Sequence, residues 1–75
     1  MGNGFMSAEQ VARIREEYPK GTRIELIAMN DPYTKLDFGD KGTVQFVDSA
    51  GQIQMKWDCG SQLALIPGVD SFRKI

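Results

Sequence analysis

Apolar residues recur at every third or fourth position before Gly21 and at every second position after it. The first rhythm is helical: Val11, Ile14 and Tyr18 fall on one face, while Arg13, Glu16 and Glu17 fall mostly elsewhere. Ser7 and Gln10 have the spacing of a capping box, in which the hydroxyl accepts from an orphan amide and the glutamine reaches back to the cap amide. Met6 before the cap and Val11 beyond it have the spacing of a hydrophobic staple. Pro19 and Gly21 end the helix, because the residue before a proline is pushed out of the helical region. These signals predict a helical unit over 6–20, after a flexible lead over 1–5 that carries Gly2, Asn3 and Gly4. A helix this short is marginal alone in water, so its apolar stripe must pack on the rest of the domain or on a partner.

The second rhythm predicts strands over Thr22–Met29, Lys41–Val47, Gln52–Trp57, Ser61–Leu65 and Ser71–Ile75. Alternation puts Ile24, Leu26, Val44, Phe46, Ile53, Met55 and Trp57 inward. Asp48-Ser49-Ala50-Gly51 and Asp58-Cys59-Gly60 read as tight turns, Ile66-Pro67-Gly68 as one helical turn, and Asn30–Asp40 as a long loop. Short strands joined by such turns need a closed or nearly closed sheet to remove their edges. The expected fold is therefore mostly β: a small, partly open barrel of about five strands over 21–75, with the helix of 6–20 packed on it.

Composition narrows the function more than it names it. The chain has 75 residues, 41% of them apolar, enough for one small domain with little left over for an elaborate active site. Nine basic residues nearly balance ten acidic ones, so the net charge of −1 gives no overall pull toward a phosphate backbone or an anionic lipid. No apolar run approaches the roughly 20 residues that span a bilayer, and no basic segment followed by an apolar run marks a signal peptide. One cysteine, Cys59, allows no internal disulfide and fits a cytoplasmic setting.

Catalytic chemistry is thinly supplied. The chain has no histidine, which removes the usual neutral-pH proton shuttle and the commonest zinc ligand. Gly39, Lys41 and Gly42 lie before a strand and read as a hairpin entrance, not as a phosphate loop. Asp31, Asp37, Asp40 and Asp58 read as solvated turn acids. Cys59 stands beside Asp58, whose charge disfavours a thiolate, and neither Ser7 nor Ser61 has a base in sequence to activate it. The expectation is a protein that is not an enzyme, with no catalytic residue, cofactor or metal.

Binding is the better class. The segment Asn30–Leu36 is long for so small a barrel, and Tyr33 on it offers an aromatic face with a polar tip. Tyr33 and Leu36 either form a contact surface or fold over a barrel mouth as a lid. Trp57 is a core residue by alternation, and with only its edge buried it would form a groove with Tyr33. Lys35, Lys41 and Lys56 around these aromatics make nucleic acid the alternative ligand, ranked below a protein because the cations are dispersed and acids lie among them. The candidate site is thus Tyr33, Leu36, Lys35, Trp57 and Lys56. A purely structural accessory role, through the helix stripe, is the third possibility.

Gly21-Thr22-Arg23-Ile24-Glu25-Leu26, Asp31-Pro32-Tyr33-Thr34, Gly39-Asp40-Lys41-Gly42-Thr43-Val44, Trp57-Asp58, Gly60-Ser61 and Leu65-Ile66-Pro67-Gly68 together resemble an uncharacterised bacterial domain family. Its members look like small SH3-like barrels and are frequent in phages and conjugative elements of Gram-positive bacteria. The likeness runs from about Met6 to Ile75 and departs from the family at Asp37-Phe38, where a more proline-rich loop is usual, and at Cys59, where a polar residue is. The resemblance implies an SH3-like fold and a mobile-element setting, and it brings no reaction or ligand with it. The expectation is a small binding or regulatory module with a protein partner and no membrane association.

Overall fold

The computed structural model describes residues 6–29 and 35–75. One helix, α1 (Ala8–Glu17), precedes four strands: β1 (Arg23–Ala28), β2 (Lys41–Val47), β3 (Ile53–Trp57) and β4 (Ser71–Lys74). Ser7 is the cap of α1, and both halves of the capping box form: Gln10 N donates to Ser7 Oγ at 3.2 Å, and Ser7 N donates to Gln10 Oε1 at 2.9 Å. The helix is shorter than the predicted unit because Tyr18 already leaves helical geometry ahead of Pro19.

All strand pairs are antiparallel, in the order β3-β2-β1-β4. The chain therefore crosses from one edge of the sheet to the other between β3 and β4. The crossing segment pairs with β3 at one place, where Ile53 and Leu65 exchange both backbone bonds, at 2.8 and 2.9 Å. Two expectations are corrected here. Among the described residues an open sheet of four strands stands in place of about five, and Ser61–Leu65 supplies a single bridge where a full strand was expected. The physical reason lies in Ser61–Ala64, whose partners are local or side-chain groups. Ser61 O accepts from Trp57 N, closing the turn, and Leu63 O accepts from the Trp57 indole at 2.8 Å.

The core lies between α1 and the inner face of the sheet. Val11, Ile24, Leu26, Leu36, Val44, Val47, Ile53, Met55, Trp57 and Leu65 are buried, with Met6, Ile14, Tyr18, Met29 and Phe72 packed against them. The helix stripe is thus covered by the chain's own sheet. Tyr18 meets Phe72 of β4 edge to face at 5.6 Å, and Lys74 Nζ lies 5.1 Å from the Tyr18 ring centre. Gly42 is a glycine for lack of space: a Cβ there would come within 2.8 Å of the Trp57 ring.

One strand departs from simple alternation. In β2, Val44 pairs with Met55 but Phe46 pairs with Gln54, so Gln45 is an extra residue and β2 is bulged. The bulge turns Val47 inward and Phe46 outward, and Phe46 is 59% exposed. The expectation of an inward Phe46 is therefore corrected: of the adjacent pair Phe46-Val47 only one side chain can face the core, and the bulge selects the valine.

Candidate functional site

Of the residues singled out by sequence, the described ones fall into two settings, core and surface. Trp57 is 2% exposed and wholly engaged in the core, with its indole N–H on Leu63 O. Leu36 is buried as well, while Lys35 and Lys56 lie on the surface. Tyr33 lies outside the described residues, as does Asp31. Asp37 and Asp40 close their own turn, the Asp37 amide donating to Asp40 Oδ2 at 2.9 Å. Among the described residues no cluster of three or more His, Cys, Asp or Glu could hold a metal ion. No helix among them is long and apolar enough to cross a membrane.

A different surface emerges on the outer face of the sheet. Antiparallel register sets Arg23 opposite Thr43, Thr43 opposite Lys56, Glu25 opposite both Lys41 and Arg73, and Phe46 opposite Gln54. All of these alternate with core residues and so share the outward side. The strands thus present Arg23, Lys41, Lys56 and Arg73 on this face against the one carboxylate of Glu25. Asp58, just past β3, is clamped by Arg23 through two bonds of 2.8 and 2.7 Å, and the same guanidinium donates to Thr43 Oγ1 at 2.9 Å. The hydrogen bonds from Arg23 hold the Asp58 carboxyl below its usual pKa, helped by the charges of Arg23 and Lys41 and opposed by partial burial. Glu25 accepts from Arg73 at 2.7 Å, with Lys41 Nζ 4.0 Å away. Both acids are therefore neutralised by neighbours, and the surplus charge of the face is positive.

Phe46 stands between two clefts. One, of about 280 Å³, is lined by Gln45, Phe46, Gln54, Met55, Lys56 and Gln62. The other, of about 220 Å³, is lined by Arg15, Tyr18, Pro19, Lys20, Gln45, Phe46 and Val47. Among the described residues neither lining contains a carboxylate. The second cleft exists because the end of α1 lies along the bulged part of β2: Arg15 Nε donates to Val47 O at 3.2 Å, and Gly21 N donates to Val44 O at 2.9 Å. The nearby turn is pinned by Asp48, whose carboxylate accepts from the amides of Ala50 and Gln52 and from Gln54 Nε2. Partial burial would raise the Asp48 pKa, but the bonds from Gln52, Gln54, Ala50 and Gly51 outweigh it and hold it below the usual range. That acid is thereby tied to the turn, with its Oδ2 on Gln54, a residue of the first cleft. A third, more apolar cleft of about 360 Å³ lies between Met29 and the crossing segment, lined also by Gln52, Leu63, Ala64, Ile66, Val69 and Asp70. It offers little directional chemistry beyond Asp70, whose Oδ2 already accepts from Ile66 N at 2.8 Å.

Phe46 was missed by sequence reasoning, and the only signal for it was the doublet Phe46-Val47 breaking alternation at the end of a strand. Residues 7–75 match the family model described as Domain of unknown function (DUF4314). The chain belongs to that family. No curated protein and no solved structure matches it. As a DUF4314 domain the chain inherits no assigned reaction, so its function must be argued from the surface just described.

Proposed function

We propose that this DUF4314 chain is a small, non-catalytic binding module that makes its contact through the outer sheet face centred on Phe46. The observation that carries the reading is the bulge at Gln45, which presents a large aromatic ring to solvent between two clefts while a smaller valine fills the core. Exposed aromatics flanked by polar and cationic groups are the usual anchors of contact surfaces. The helix stripe offers no comparable face, since α1 is packed on its own sheet. The antiparallel four-stranded sheet, with the Ile53–Leu65 bridge on its β3 edge, supports a partly open SH3-like arrangement. A cytoplasmic, mobile-element setting belongs to the same proposal, supported by the lone cysteine and the family resemblance.

Site-specific photocrosslinking in cells tests the surface without presupposing its ligand. A benzophenone side chain replacing Phe46 captures macromolecular adducts, whereas the same group replacing Val69, an exposed residue on the crossing segment, captures few. Equal capture at both positions, or capture at Val69 alone, would sink the proposal.

A further inference from the structure

Building on the Phe46 face as the contact surface, we infer that its ligand is single-stranded nucleic acid. A base stacks on the Phe46 ring, and the backbone phosphates are held by Lys56 on one flank and by Arg15 and Lys20 on the other. Three features of the face converge on this chemistry. The ring is exposed, with a cleft on each side into which a flat group can slide. Every base has a π-face, so stacking on an aromatic ring recognises unpaired nucleotides without regard to sequence.

The charges fit a polyanion. Arg15, Lys20 and Lys56 line the two clefts, and among the described residues no carboxylate shares the linings and none of the three forms an ion pair. The acids of the sheet face, Glu25 and Asp58, are already matched by Arg73 and Arg23. On a chain of net charge −1, cations gather on both sides of Phe46, where a phosphate backbone meets attraction. The polar remainder fits base edges. Gln45 and Gln54 use Nε2 on Thr43 O and on Asp48 Oδ2, and each also carries an amide oxygen able to accept from a base. An acidic peptide would use the cations, but its carboxylate side chains offer the ring no flat π-face to stack on. A duplex keeps its base faces stacked against each other, where Phe46 cannot reach them.

Fluorescence anisotropy with labelled 15-mers of oligo-dT and oligo-U, titrated with the full chain, tests the inference. Single strands bind saturably at 50 mM salt, and a duplex of equal length binds more weakly. Three phosphate contacts give a slope of log K against log salt of about −2, or roughly 20-fold weaker binding at 200 mM. Phe46→Ala weakens binding by about 5- to 100-fold. Lys56→Gln lowers the slope by about 0.7, and Val69→Ser leaves binding as it was. Circular dichroism confirms that each variant is folded before titration. The inference falls if no strand binds at 50 mM salt, if Phe46→Ala binds as the parent does, or if a duplex or a polyglutamate peptide binds better than the single strand. Photocrosslinking separates the two levels: protein adducts at position 46 with no oligonucleotide binding leave the contact surface standing and overturn its ligand.

Discussion

Asp48 shows how much one side chain can organise. Its two oxygens accept from two backbone amides and one side-chain amide at 2.9–3.0 Å, closing the β2–β3 turn and fixing Gln54 beneath Phe46. Its folded pKa lies below the usual 3.8, so the unfolded chain binds the proton first. The stability it contributes is complete above about pH 4 and is lost as pH falls through the depressed value. Asp48→Asn keeps the shape but sets an amide donor against Gln54 Nε2. The expected loss is about 1 kcal/mol at pH 7, read as a lower urea midpoint, and the gap to the parent narrows toward about pH 2. A gap that stays constant across that range would show that the charge is irrelevant to the turn. Ser7, Gln10 and Asp48 were legible as local signals because their partners lie within a few residues. Trp57 was half legible: its alternation marked it as core, but its bond to Leu63 O and its fit against Gly42 depend on neighbours brought in by folding.

At the scale of elements the bulge in β2 decides which of two adjacent apolar residues joins the core. A regular strand would bury Phe46 and expose Val47; the bulge reverses them, and this reversal creates the candidate site. The pair of truncations follows directly. Phe46→Ala changes stability by no more than about 0.5 kcal/mol, as exposed positions do, whereas Val47→Ala costs about 1–3 kcal/mol. Equilibrium urea unfolding of the two variants measures the difference, and the opposite ranking would restore the regular strand. The bulge was invisible in the sequence because Gln45 carries no mark of an inserted residue; it is polar, and so is any outward position. The expected fifth strand failed for a related reason. Ser61 and Gln62 lead into the apolar run Leu63-Ala64-Leu65, but composition states which side chains are apolar and says nothing about where the backbone bonds go.

For the whole molecule the decisive fact is that α1 and the sheet share one interior. Val11 is buried with Val44, Val47 and Ile53 in a single cluster, which Leu36 and Leu65 join from outside the helix and strands. Helix and sheet are therefore expected to unfold together. Far-UV circular dichroism and the fluorescence of Trp57, the chain's one tryptophan, give coincident transitions. Val11→Ala shifts both by the same amount, a loss of about 2 kcal/mol. An earlier loss of helical signal would mean that α1 is an independent appendage.

The order of the elements, the helix cap, the turns and most of the core were set by the sequence alone, because each depends on residues near one another along the chain or on a simple period. The site was decided by the tertiary structure. Lys35, Lys41 and Lys56 are dispersed among acids in the sequence, which ranks a protein partner above nucleic acid, and nothing in the sequence marks Arg15 and Lys20 as neighbours of the Lys56 surface. The sheet register places Lys56 on the outer face, the end of α1 brings Arg15 and Lys20 to the other side of Phe46, and arginines neutralise the intervening acids. Surface charge is a property of positions in space, and only folding assigns those positions.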